Sequence, residues 1–110
     1  MAYTPKILYP SAYPSNGGST LYTVPVNTTT IVKNIVMTNT TANDASIHLS
    51  VVPSAGSPAA SNRILSDYVV PASGISTLDV SIVMPSGAAL HATNLTSQAV
   101  VLTISGVEIA

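Results

Sequence analysis

The sequence predicts an all-β domain, an antiparallel β-sandwich of the jelly-roll type with about seven or eight short strands. Two observations predict it. Apolar and polar side chains alternate with a period of two along several segments, and clusters of proline and glycine interrupt the chain at short intervals. No segment longer than about one helical turn has the 3.6-residue periodicity of an amphipathic helix. The fold class therefore follows from the spacing of side chains.

The alternation is clearest in segments 46–52, 76–83 and 100–105. Because successive side chains of a strand point to opposite faces of a sheet, such alternation indicates strands with one buried face. Gly106 follows the third segment, and the apolar residues after it, Val107 and Ile109, continue on the other parity. A glycine inside a strand pattern often marks a bulge, so we predict one at this position.

Proline follows a paired apolar run in segments 51–56, 69–74 and 83–87, and a glycine comes two or three residues later. Proline cannot donate to a strand ladder and glycine tolerates a positive φ, so each cluster predicts a strand end and a corner. The predicted strands lie at 20–24, 29–39, 45–52, 64–70, 75–83, 88–93 and 98–109, with a possible short strand at 6–9.

Residues 1–19 differ from the predicted sandwich domain at 20–110, because they are rich in tyrosine and proline and end in a flexible Asn-Gly-Gly. Fully extended, this segment reaches roughly 60 Å. We expect an extended N-terminal arm that contacts another subunit, since tyrosine is enriched at interfaces. The expected interface residues are Tyr3, Tyr9, Tyr13, Pro10 and Pro14. The alternatives are an edge strand that folds back on the same chain, or disorder.

Charge is scarce: 6% of the residues are Asp, Glu, Lys or Arg, against roughly 25% in a typical soluble domain. Either partner subunits cover much of the surface, or the surface is a neutral coat of serine and threonine. Three Lys and Arg residues are too few for a nucleic-acid footprint, and no apolar run is long enough to cross a membrane. The N-terminus also lacks the apolar segment of a signal peptide, so we expect the chain to mature in the cytoplasm of the cell that makes it.

No catalytic, metal or cofactor site is predicted. The chain has no cysteine, its two histidines are isolated at His48 and His91, and its four carboxylates are scattered singly along the sequence. Alternation places both histidines on polar strand faces, where a surface role is expected. A general acid–base pair would require two distant carboxylates to converge, and the sequence has no motif that indicates this.

Four stretches of sequence, read together, resemble small β-sandwich virion proteins of tailed bacteriophages. They are Leu-Tyr-Thr-Val-Pro at 21–25, Thr-Ile-Val-Lys-Asn-Ile-Val at 30–36, Asn39-Thr40, and Leu-Thr-Ile-Ser-Gly-Val-Glu-Ile at 102–109. The resemblance extends from about Lys6 to the end of the sequence and rests on pattern, so no binding residues carry over. It implies a structural component of the virion, present in many copies as a homotrimer or another homo-oligomer.

Three hypotheses follow from the resemblance and the composition. The leading one is a capsid decoration (cement) protein that binds the major capsid protein on the outer shell. The second is a tail, baseplate or fibre-associated module whose partner is a tail protein. The third is a module that binds a receptor or glycan. This hypothesis is weaker because sugar sites generally use aromatic rings, and Tyr22 and Tyr68 are the only aromatic residues outside the N-terminal segment.

Overall fold

The computed structural model describes residues 3–110, which form eight strands and one short 3-10 helix. The strands are β1 (Tyr3–Ala12), β2 (Ser19–Thr23), β3 (Thr29–Asn39), β4 (Ala45–Val52), β5 (Arg63–Val70), β6 (Ile75–Met84), β7 (Ala89–Asn94) and β8 (Val100–Ile109), and the 3-10 helix is Ala60–Asn62. The all-β prediction is confirmed. Among these elements there is no helix long and apolar enough to cross a membrane.

The strands form two four-stranded antiparallel sheets. Sheet A has the order β1-β8-β3-β6, and sheet B has the order β2-β7-β4-β5. The first strand therefore pairs with the last, the second with the seventh, the third with the sixth and the fourth with the fifth. This is the pairing that results when a long antiparallel hairpin rolls up on itself, and it makes the sandwich a jelly roll.

Aliphatic side chains fill the space between the sheets. The largest buried ones are Ile35, Met37, Ile47, Leu49, Met84, Leu90, Leu102 and Ile104. Alternate residues of the central strands β3, β4, β7 and β8 supply all of them except Met84, which ends the edge strand β6, and this confirms the period-two pattern. Since the chain has no Phe or Trp, branched aliphatic residues and methionine provide this volume.

The bulge predicted at Gly106 lies instead in the two strands beside it. β8 keeps its alternation through Gly106, which is buried, while the register shifts in β1 after Ile7 and in β3 around Lys33. A Cβ added to Gly106 would overlap the carbonyl oxygen of Ile31 in β3 and lie 3.1 Å from Leu8 in β1. Only glycine therefore allows the backbone of β8 to lie this close to the backbone of β3 and to the Leu8 side chain.

The three predicted corners are confirmed. The N–H groups of Gly56, Gly74 and Ala88 donate to the carbonyls of Pro53, Pro71 and Pro85 at 2.9, 2.9 and 3.1 Å. The glycine has the positive φ only in the third turn, at Gly87; in the other two, Ala55 and Ser73 occupy that position. The position in the turn, third of four residues, decides which residue adopts the left-handed conformation.

The N-terminal segment is an edge strand for most of its length. Residues 3–12 pair with β8 in the same chain, which is the edge-strand alternative to an arm. Pro5 and Pro10 are compatible with this position, because an edge strand uses only half of its backbone groups for pairing. Contact of this segment with another subunit stays a prediction.

Candidate interaction surfaces

The outer face of sheet A, which points away from sheet B, carries an apolar row across all four strands. The register places Pro5 opposite Val107, Val107 opposite Ile31, and Ile31 opposite Val83. Val83 is 64% exposed, and Tyr3 and Ile7 in the neighbouring rows are similarly exposed. A contiguous apolar patch of this kind is typical of a surface that contacts another molecule.

A shallow groove lies at the β1–β8 part of this face, beside the register shifts in β1 and β3. Its lining consists of Pro5, Lys6, Ile7, Lys33, Ser105, Gly106 and Val107. The lining residues include two lysines, whose ammonium groups bond to Glu108 and Ser81, and they include neither a carboxylate nor an imidazole. The groove is therefore suited to apolar contact rather than to acid–base chemistry.

The five predicted interface residues lie in different environments. Tyr3 and Pro10 are exposed, and Tyr13 is 41% exposed with its hydroxyl 3.0 Å from that of Thr40. Tyr9 packs against the core, and burial raises the pKa of its hydroxyl. Pro14 is buried. Tyr3, Pro10 and Tyr13 are therefore the residues of this set that face solvent.

One side of the sandwich is closed by a charged cluster. The hydroxyl of Tyr22 in β2 donates to the carboxylate of Glu108 in β8 and lies 2.7 Å from the hydroxyl of Thr30 in β3. Lys6 in β1 makes an ion pair with Glu108 at 3.3 Å. The cluster thus joins sheet B to three strands of sheet A.

The pKa values in this cluster reflect the contacts. The hydrogen bond from Tyr22, and then the proximity of Lys6, hold the pKa of Glu108 below its ordinary 4.5. Burial and the bond to Glu108 raise the pKa of Tyr22 to about 12. Both shifts favour the ionised carboxylate and the neutral phenol.

The opposite side is closed by a neutral contact. Tyr68 in β5 shares a hydrogen bond with Ser76 in β6, again from sheet B to sheet A. The rings of Tyr22 and Tyr68 both pack against the core. Neither is a free aromatic platform of the kind that a sugar ring stacks on.

The histidines lie on the outer face of sheet B, as alternation predicted, but neither is fully solvated. His48 is opposite Thr93 and His91 opposite Ser50, so the two are diagonal neighbours on β4 and β7. The N–H of Asp67 donates to Nδ1 of His48 at 3.0 Å, and Nε2 lies 3.6 Å from the Asp67 carboxylate. Burial lowers the pKa of His91.

Sequence reasoning missed the pairing of Lys6 with Glu108, because 102 positions separate them. One signal was present. Glu108 has the same parity as the buried Leu102 and Ile104, and a carboxylate at a core-facing position requires a partner. The phase change predicted at Gly106 assigned Glu108 to the other face.

Comparison with known proteins yields a likeness of fold. No family model and no curated protein matches the sequence. A chain in a structure of infectious bursal disease virus Gx strain matches with a TM-score of 0.50 and 13% sequence identity. The match covers 98% of this chain and 32% of the viral one, so this chain is similar to about a third of the viral chain's length. The chain thus shares its sandwich fold with part of a chain found in a virus structure.

Proposed function

We propose that the chain is a non-enzymatic structural component of a virus particle, and specifically a decoration protein that binds the outer shell of a bacteriophage capsid as an oligomer. The observation that carries the proposal is the apolar row across the outer face of sheet A in a chain with 6% charged residues. The jelly-roll order and the likeness to a chain in a virus structure support it.

The physical argument concerns what the surface is suited to contact. A partly apolar sheet face with few charges loses little solvation when a similar surface covers it. Each contact can be modest, since a shell presents many equivalent sites and an oligomer binds several at once. The titratable groups of Glu108 and Tyr22 join strands of the sandwich, which is a structural use of these side chains.

Quantitative mass spectrometry of purified particles tests the proposal. A shell protein is expected in on the order of hundreds of copies per particle, and labelling of intact particles is expected to cover the capsid surface. Absence from the particles would contradict a virion role. Label confined to the tail, with a few to some tens of copies, would contradict the capsid assignment.

Label confined to the tail is the result expected of the alternative function, a tail, baseplate or fibre-associated module with receptor or glycan contact. One observation favours it. Residues 53–61, between β4 and β5, are all exposed and include serine, alanine, proline and glycine, as in a loop that presents a binding surface.

A further inference from the structure

The sandwich has four edge strands, and three of them carry features that oppose pairing with another chain. β1 contains Pro5, Pro10 and Lys6 and has two register shifts. β2 is five residues long, with one shift. β5 carries two charged residues and two shifts. Prolines, charges, irregular register and short length are the usual protection of a sheet edge.

The fourth edge, β6, has little of this protection. It is ten residues long, has no proline, carries one charged residue (Asp79), has one register shift, and alternates regularly between exposed and less exposed side chains. Leu78, Val80 and Ile82 on its inner side are only partly buried. An edge of this length has unpaired backbone donors and acceptors beside apolar side chains, so it favours the addition of another strand.

We propose that two copies of this chain associate through β6, antiparallel about a two-fold axis, so that the two four-stranded sheets A join into one. A two-fold axis makes the interface self-complementary, which suits a strand that lacks a partner of its own. Pairing also brings Leu78, Val80 and Ile82 against their counterparts in the second copy.

Charge selects the register. The two copies of β6 can pair in several registers that keep the apolar side chains on one face. The register with Asp79 opposite the Asp79 of the second copy sets like charges side by side, which is destabilising. If the two-fold axis lies one residue further along, at Val80, Asp79 is opposite Ser81 of the second copy. Nζ of Lys33 donates to Oγ of Ser81 at 2.9 Å, so Asp79 then lies beside the second copy's Lys33.

The symmetry repeats this ion pair on both sides of the axis. Within residues 3–110, Lys33 and Asp79 each have a hydrogen-bond partner but no oppositely charged group within 4.0 Å. The pairing supplies that group. The inference deepens the proposed function, on which it rests only for the expectation that copies lie side by side, and its test needs no particle.

Analytical ultracentrifugation of Lys33→Asp, Asp79→Lys and an equimolar mixture of the two tests the pairing. Each single variant sets like charges together twice and is expected to weaken self-association about tenfold or more. In the mixture, an acidic edge meets a basic edge, so association between the two variants is expected to recover. Arg63→Asp on β5 is the matched control, and it is expected to associate like the unaltered chain.

Recovery in the mixture also shows that both variants fold. The pairing would be overturned if the unaltered chain stayed monomeric at high concentration, if both variants associated normally, or if the mixture gained nothing over its components. Normal association in solution together with absence from particles would remove the proposed function and leave this inference standing.

Discussion

The two open sides of the sandwich are closed in different ways. At the side of β1 and β2, Tyr22, Glu108, Lys6 and Thr30 join four strands in one charged cluster. At the side of β5 and β6, the hydrogen bonds between the sheets are neutral: Tyr68 shares one with Ser76, and the buried amide of Asn39 in β3 donates to the carbonyl of Val70 in β5 at 3.0 Å. The same residue type, a tyrosine on the edge strand of sheet B, makes the crossing on both sides.

The difference indicates separate uses for the two sides. A carboxylate held between the sheets requires partners, and Tyr22 and Lys6 of the same chain supply them for Glu108, so the first side needs no contact with a second copy. The second side leaves Leu78, Val80 and Ile82 partly exposed on β6, the edge strand with the least protection. We infer that the second side is where association between copies occurs.

The largest effect is expected from Gly106→Ala, which would disrupt the packing of β8 against β1 and β3 on the first side. A methyl group there overlaps the backbone of β3 and crowds Leu8, so β1 and β8 must move. We expect a loss of about 3 kcal/mol or more in the free energy of unfolding, measured with urea. Hydrogen exchange should then increase in β1 more than in β6.

Gly17→Ala is the control, because its Cβ would lie 3.8 Å from Ser15, at an ordinary contact distance. It should leave the unfolding midpoint nearly unchanged. A loss below about 1 kcal/mol for Gly106→Ala would show that the strands separate easily, contrary to the close approach described.

The next largest effect compares the tyrosine hydrogen bonds that join the sheets on the two sides. Tyr22→Phe removes a hydrogen bond to a charged group, at an expected cost of about 1.5–3 kcal/mol, whereas Tyr68→Phe removes a neutral one worth about 0.5–1.5 kcal/mol. Urea unfolding of both variants measures the difference. Equal losses would mean that the charge of Glu108 contributes nothing to closure on its side.

The smallest effect is a dependence of stability on pH. The folded-state pKa of Glu108 lies below its ordinary 4.5, so its contribution is complete above pH 4.5 and is lost as the pH falls through the folded value. Glu108→Gln should remove this acid step. Thermal unfolding measured at a series of pH values follows it.

His91 contributes a separate step, because burial places its folded pKa below the ordinary 6.5 and stability is lost as the pH falls below that value. His91→Gln should abolish this loss of stability near neutral pH and keep the loss at acid pH that is due to Glu108. If Glu108→Gln changed only the step assigned to His91, the assignment of the loss of stability at acid pH to the charged cluster would be wrong.

Pattern alone predicted much of the fold. The bounds of β3 and β4 were predicted to the residue, since alternation and turn residues define them locally. β1 was predicted only as a possible strand at 6–9, because its prolines resemble those of an extended arm and its pairing with β8 is a contact between the two ends of the chain. No window of sequence contains such a contact.

The sequence by itself determined that the chain is all-β, where its corners lie and that it is poor in charge, because these properties depend on neighbouring residues and on composition. The tertiary structure decided which strands lie at the edges, that Lys6 meets Glu108, and that β6 is the edge with the least protection. These depend on the order in which the strands pair, and that order is set by the burial of all eight strands together.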